Sequence, residues 1–248
     1  METVEILGIP LQRTTMGAAL EKAAEFVAAK KPHLIATANP EMIMLAQEDL
    51  LLAEILKRAD LVVADGIGAV WASRILRQPL PERIPGIELA EGLLRLAAEK
   101  GWRVFFLGAE KGVADKAARQ LRQKYPALPI VGTHHGFFHT APENKAVLEK
   151  IRKSRPQILL AGPGVPRQEK WLAANLGTLE IPLGIGIGGS FNVWAGTVKR
   201  APLWLRQLHL EWFYRLIKQP WRIKRLAVLP EFVFKVWAER CRQGGKIS

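Results

Sequence analysis

Along most of the chain, short apolar runs alternate with longer segments of helical periodicity, and this alternation restricts the fold more than any other feature. The runs are Val4–Leu7, His33–Ala36, Leu61–Ala64, Arg103–Leu107, Ile130–Thr133, Ile158–Ala161 and Leu183–Ile187. The segments Met16–Ala29, Glu41–Leu56, Ile87–Lys100, Val113–Lys124, Glu143–Lys153 and Gln168–Leu176 place apolar residues three and four apart. Leu20, Ala23, Ala24 and Val27, for example, share one face. Strands that alternate with helices predict an α/β fold, a Rossmann-like, largely parallel sheet with helices on both faces. Runs such as LVVA and ILLA are apolar throughout, as strands covered on both faces require. At 248 residues the chain buries a full core without staples.

Ligands of such sheets bind at the carboxyl ends of the strands. Polar or glycine-rich residues stand at five of those ends: Thr37–Pro40, Asp65–Gly68, Gly108–Gly112, Gly162–Gly164 and Gly184–Gly189. Asp65, with Gly66 beside it, is placed either as a general base toward a hydroxyl or as a helix N-cap. Thr37 and Asn39 offer polar groups to sugar hydroxyls or phosphate, and Asn39 before Pro40 equally fits an N-cap. Arg83 lies between Pro81 and Pro85, and a guanidinium on a stiff loop suits a phosphate clamp, although a solvated surface arginine is the commoner case. Gly108, Gly162, Gly164, Gly188 and Gly189 belong to loops whose backbone N–H groups are able to cradle a diphosphate. GAEKG at Gly108–Gly112 is not the G-x-G-x-x-G fingerprint, which disfavours a nicotinamide dehydrogenase, and no P-loop sequence is present.

Charge is distributed unevenly. Residues 196–248 hold 12 Lys and Arg against 3 Asp and Glu, a net +9 of the chain's +13, together with Trp204, Trp212, Trp221 and Trp237. We expect two parts: an α/β catalytic domain over 1–195 and a basic, amphipathic helical appendage over 196–248. Pro202 opens the first helix of the appendage, and Pro220 and Pro230 divide the rest. Arg222 and Arg225 are i, i+3 neighbours, and Arg215 lies one heptad before Arg222. With the nearby aromatic residues they form a site for anionic headgroups or a diphosphate. The alternative is an ordinary solvated basic face. A pI near 10.1 also permits nucleic-acid binding, but no nucleic-acid motif accompanies it, and the Trp and Leu content suits lipid better. The appendage's exposed apolar area leaves room for a homo-oligomer.

No stretch reaches the roughly 20 apolar residues of a spanning helix, and the first residues do not read as a secretory leader. The expected location is therefore cytoplasmic, peripheral on the inner face of the cell membrane. The single cysteine, Cys241, excludes an internal disulfide framework. The only aspartates are Asp49, Asp60, Asp65 and Asp115, so no D-x-D pair exists to hold a divalent ion against a diphosphate. We expect metal-independent chemistry and no cofactor.

Eight stretches in order complete the picture: Thr37–Met42 (TANPEM), Ala64–Gly68 (ADGIG), Arg83–Leu89 (RIPGIEL), Phe105–Ala114 (FFLGAEKGVA), Gly162–Trp171 (GPGVPRQEKW), Gly188–Gly196 (GGSFNVWAG), Lys199–Trp204 (KRAPLW) and Leu210–Arg225. Together they resemble the WecG/TagA/CpsF glycosyltransferases, bacterial enzymes that move N-acetylmannosamine or a related sugar onto a lipid-linked acceptor. The resemblance implies Asp65 as catalytic base, Thr37, Asn39 and Gln168 as pocket residues and Arg83 as phosphate-stabilising arginine. It also implies Arg215, Arg222 and Arg225 as basic residues completing the site at the membrane. Asn192 stands where the family often has a nucleotide-contacting aspartate. The implied reaction is inverting transfer from UDP-N-acetylmannosamine to N-acetylglucosamine on undecaprenyl diphosphate, the linkage unit of wall teichoic acid. A UDP-N-acetylmannosaminuronic acid or capsule-sugar transferase is the alternative, and a nucleic-acid-binding protein a remote one.

Overall fold

The computed structural model describes residues 2–218 and 227–244. A hairpin of β1 (Thr3–Ile6) and β2 (Ile9–Gln12) leads into α1 (Met16–Ala29). There follow β3 (His33–Ala38), α2 (Pro40–Glu48), α3 (Leu50–Arg58), β4 (Leu61–Ala64), α4 (Ile67–Ile75) and α5 (Gly86–Lys100). Next come β5 (Val104–Gly108), α6 (Val113–Lys124), β6 (Ile130–His134), α7 (Ala141–Ser154), β7 (Ile158–Gly162), α8 (Arg167–Leu179) and β8 (Leu183–Gly186). The chain ends in α9 (Ser190–Trp194), α10 (Leu203–Gln207), α11 (Glu211–Lys218) and α12 (Val228–Gly244).

The predicted parallel sheet is present, six strands in the order β4–β3–β8–β7–β5–β6, with every neighbouring pair parallel. Successive side chains point to opposite faces. Ile35, Leu61, Val63, Phe106, Leu160 and Ile185 therefore pack against α1, α5, α6 and α9. On the other face Ala36, Val62 and Ala64 meet α2, α3, α4 and the hairpin, while Phe105, Leu107 and Leu159 meet α7 and α8. The strands are buried on both sides, which explains their unbroken apolar sequence.

Three elements depart from the sequence expectation. The first strand is half of a hairpin, turned at Leu7 (φ 51°) and Gly8 (φ 78°), and Pro10 sits opposite Glu5 in a two-stranded ribbon that tolerates a missing donor. The segment Glu41–Leu56 is two helices. Asp49 leaves the helical region (φ −107°, ψ 90°), its N–H closes α2 on Leu45, and its carboxylate caps α3 through Leu52 N–H at 3.1 Å. Gly66–Gly68 open α4, which two glycines hide from a propensity reading.

The appendage expectation also changes in detail. Pro202 does precede the first helix, α10. Pro230, however, lies in the first turn of α12, where a missing N–H is harmless, and so does not divide it. Pro220 is outside the described residues. Phe232 and Val236 of α12 are fully buried against α2 and α4, and Glu239 Oε2 accepts from Leu7 N–H at 3.0 Å. The last helix thus returns to the body of the protein. Among the described residues, no helix is long and apolar enough to cross a membrane.

Candidate active site

A cavity of about 510 Å³ opens at the carboxyl ends of β3, β4, β7 and β8. At this point β3 feeds α2 on one face of the sheet and β8 feeds α9 on the other, so the connections diverge and leave a crevice.

Asp65 follows β4 and is half-buried on the cavity wall. The N-cap position of α4 is held by Gly66, and Asp65 stands one residue before it. Its N–H donates to Ala38 O at 2.9 Å, which fixes it beside the end of β3. The neighbouring turn is held just as closely. A Cβ on Gly68 would stand 2.6 Å from Pro40 Cγ, and one on Gly66 2.9 Å from Pro40 Cδ. Asn39 fulfils the cap role for α2, its Oδ1 accepting from Met42 N–H at 2.9 Å, while it also lines the cavity. Thr37 is buried, donates from Oγ1 to Gly186 O at 3.4 Å, and touches the start of α5, where a Cβ on Gly86 would meet that oxygen at 2.9 Å.

Arg83 arrives from the loop before α5. Ile84 N–H donates to Ala64 O at 2.8 Å, and Glu82 Oε1 accepts from Met16 N–H at 2.5 Å, so the loop is pinned on both sides of Arg83. Its guanidinium is 4.0 Å from Glu211 Oε2 at the start of α11. Glu211 Oε1 also accepts from Arg200 Nε at 3.4 Å, and Arg200 Nη2 donates to Glu88 of α5 at 2.5 Å. This mostly buried network ties α11 to α5 across the mouth of the site. Burial opposes the charge on Arg200, yet Glu88 and Glu211 outweigh it and hold its pKa above the ordinary arginine value.

Gln168 is 1% exposed and faces the cavity from α8. Its Oε1 accepts from Gly188 N–H at 3.0 Å and its Nε2 donates to Glu169 Oε1 at 2.7 Å. Gly164 (φ 93°), Gly188 (φ 51°) and Gly189 line the same wall, the first two in the left-handed region that favours glycine.

Other sequence candidates lie elsewhere. Gly108 and Gly162 are register partners at the ends of β5 and β7, behind the cavity wall. A Cβ on Gly108 would be 2.5 Å from the Gly162 carbonyl carbon, and one on Gly162 would be 2.6 Å from Gly188 O. They allow close backbone approach rather than facing the space. Asn192 on α9 is also outside the lining, its side chain and carbonyl accepting from Thr197 Oγ1. Arg215 lies on α11; Arg222 and Arg225 are outside the described residues.

Several lining residues were not foreseen as site residues, among them Glu41, Trp71, Ser190, Glu211 and, from α12, Leu229, Phe232 and Val233. The α12 set had a legible signal, since Leu229, Phe232, Val233 and Val236 recur at helical spacing. Glu211 lacked one, because a glutamate at a helix start reads as an exposed first-turn acid.

The profile of the glycosyl transferase WecG/TagA/CpsF family matches residues 4–246. The chain belongs to that family. This glycosyltransferase is 38% identical over 235 residues, 94% of its own length, to a Staphylococcus aureus (strain MW2) protein named N-acetylglucosaminyldiphosphoundecaprenol N-acetyl-beta-D-mannosaminyltransferase, of which the match covers 91%. The proteins of the same name from strains NCTC 8325 / PS 47 and MRSA252 match to the same extent. The glycosyltransferase carries its cavity on TANPEM, ADGIG, RIPGIEL, the middle of GPGVPRQEKW (Gly164, Val165 and Gln168), and GGS, sequence stretches far apart in the chain that the sheet brings to one edge.

Proposed function

We propose that this glycosyltransferase moves N-acetylmannosamine from UDP-N-acetylmannosamine to N-acetylglucosamine on undecaprenyl diphosphate, with inversion and without a metal ion. The observation that carries this reading is the convergence of Thr37, Asn39, Asp65, Arg83 and Gln168 on one cavity at the sheet's carboxyl edge, in a chain whose relatives are named for transfer of N-acetylmannosamine to N-acetylglucosaminyldiphosphoundecaprenol.

In the proposed reaction Asp65 takes the proton of the acceptor hydroxyl as that oxygen forms a bond to the anomeric carbon. The bond from that carbon to the phosphate oxygen breaks on the opposite face, and UDP leaves with the electron pair. Negative charge grows on the leaving diphosphate, so fixed donors aimed at it lower the barrier. Arg83 and the backbone of Gly164, Gly188 and Gly189 serve there, joined by Arg215, Arg222 and Arg225 of the appendage. Thr37, Asn39 and Gln168 hold the sugars. The four scattered aspartates, with no D-x-D pair, support the metal-free reading.

A lipid-borne acceptor demands a surface-bound enzyme. Leu203, Trp204, Leu208, Trp212 and Phe213 are exposed on α10 and α11 and in the turn between them, close to the cavity that Trp212 also lines, in the segment with a net charge of +9. Aromatic and apolar side chains that insert shallowly among anionic headgroups, with cations above them, suit peripheral binding on the cytoplasmic leaflet. In this reading residues 1–195 supply the catalytic base and most of the cavity, and 196–248 complete the cavity and bring it to the membrane.

The test is product formation from UDP-N-acetylmannosamine and bilayer-borne N-acetylglucosaminyl diphosphoundecaprenol with EDTA present. Disaccharide-lipid and UDP are the expected products. Transfer only from the uronic-acid donor would change the sugar and keep the class; a requirement for added metal would overturn the metal-free step.

A further inference from the structure

One buried acid stands directly behind the site and takes no part in the chemistry above. Glu169 is 1% exposed, in the first turn of α8, next to the cavity-lining Gln168. Its Oε1 accepts from Gln168 Nε2 at 2.7 Å, while Oε2 has no hydrogen-bond partner among the described residues. An uncompensated buried carboxyl is costly, and a fold that keeps one invites a reason. Desolvation raises its pKa to about 7, the hydrogen bond from Gln168 and one from its own backbone working against the rise.

The surroundings supply that reason. A side-chain amide has two faces, a donor and an acceptor, and is able to sit either way round. With Nε2 committed to Glu169, the Gln168 Oε1 must point the other way, where it accepts Gly188 N–H at 3.0 Å. Gly188 holds a left-handed φ of 51° in the loop that lines the cavity. The space for both polar heads comes from Gly186, where a Cβ would stand 2.6 Å from Gln168 Nε2 and 2.8 Å from Glu169 Oε1. The carbonyl of the same Gly186 accepts from Thr37 Oγ1. Thr37, Gln168 and Gly188 thus share one buried support, to which Glu169 belongs.

We propose that Glu169 is a positioning residue: its Oε1 fixes the orientation of the Gln168 amide and, through it, the shape of the Gly188–Gly189 loop that receives the donor's diphosphate. The assignment of that loop to the diphosphate rests on the function proposed above. The role requires an acceptor atom, not a charge. Glu169→Gln keeps that acceptor; Glu169→Leu and Glu169→Met remove it and relieve the burial of a carboxyl group.

Two readouts on the full chain test this. The first is hydrogen exchange of the Gly188 amide in protein labelled with isotopic glycine and free of ligand, which needs no activity. The second is steady-state transfer from UDP-N-acetylmannosamine. We expect Glu169→Gln to keep Gly188 protection and to hold kcat/KM within about threefold of the parent. Glu169→Leu should lose Gly188 protection and raise KM for the UDP-sugar about tenfold, with KM for the lipid acceptor unchanged and Tm no lower than the parent's. Glu169→Met repeats the test with an unbranched chain should the leucine variant not fold. Retained Gly188 protection and donor KM in the apolar variants would overturn the proposal, as would a glutamine variant as impaired as they are. If the parent transfers no N-acetylmannosamine while Gly188 protection follows the acceptor as expected, the positioning role stands and the functional reading falls.

Discussion

Asp65 and Arg83 occupy the same wall for different reasons, and their substitution should separate chemistry from folding. Asp65→Asn keeps the shape and the Asp65 N–H bond to Ala38 O but removes the proposed base; Arg83→Ala removes a cation and leaves the bond from Arg200 to Glu211 in place. Each should lower kcat by about 10²–10⁴-fold with little change in Tm, measured by product release and by thermal unfolding. Near-parental turnover of Asp65→Asn would take it out of the base role. Glu169 gives a second prediction, in stability. Its folded pKa, about 7, lies above the ordinary 4.5, so between those values the native state keeps a proton that the unfolded state has lost. Stability therefore falls as pH rises through that window, by about 3 kcal/mol from this group, and the loss persists above pH 7. Glu169→Gln should lack this part of the slope in urea unfolding followed from pH 4 to pH 8; an identical slope would refute it. At this scale the sequence was informative about cavity residues at strand ends and on the stiff loop, and silent about Glu211 and about what stands behind the wall. Asp65, Thr37 and Arg83 follow from strand ends and stiff loops. Glu169 does not, because a glutamate in a first helical turn normally faces water, and only the packing of α8 on Gly186 buries it.

Helices at the edge of the cavity make different demands from strands beneath it. The six strands of the central sheet are where the apolar runs predicted them, because a strand buried on both faces has one reading. Elements defined by punctuation were harder to see. The turn at Leu7–Gly8 lacks the Asn-Gly or Asp-Gly pair of common tight hairpins, and Asp49 interrupts a continuous apolar period by capping the next helix. The return of α12 depends on a few anchors. Phe232 is 1% exposed, lies against α2 and α4, and lines the cavity as well. Phe232→Ala should cost about 3–5 kcal/mol, a large share of the 5–15 kcal/mol typical of a domain, if α12 unfolds with the body. Urea unfolding checks this: a midpoint unchanged from the parent would mean that α12 is not cooperative with the sheet. The same substitution enlarges the space where a sugar would sit, so KM should rise before kcat falls.

For the whole molecule the question is how a cavity at the sheet edge would meet the lipid-borne acceptor proposed above. Helix α12 of the appendage shares an apolar core with α2 and α4 of the body. Removing 196–248 takes away Glu211, Phe232 and Val236 and uncovers the apolar faces of α2 and α4, so loss of activity in such a truncation would mix misfolding with lost membrane contact. Substitution of exposed residues avoids this. Trp204 is 60% exposed, on α10, and Leu208, also 60% exposed, follows that helix directly. If this end of the protein inserts shallowly while its cations meet headgroups, two signatures follow. Binding to vesicles rich in phosphatidylglycerol should be strong at low salt and weaken as screening shortens the reach of each charge, with little binding to phosphatidylcholine alone. Replacing Trp204 and Leu208 together by serine should then weaken sedimentation with anionic vesicles about tenfold or more, since two large apolar side chains leave the interface. Tm should not fall, because neither side chain is buried in the free protein, and transfer to a short-chain, water-soluble acceptor should match the parent's. Parental vesicle binding by the double variant would move the membrane contact to another face. Equal loss on soluble and lipid acceptors would mean that these residues shape the cavity itself, through the Glu211 and Arg200 network that α10 adjoins, rather than the approach to the bilayer.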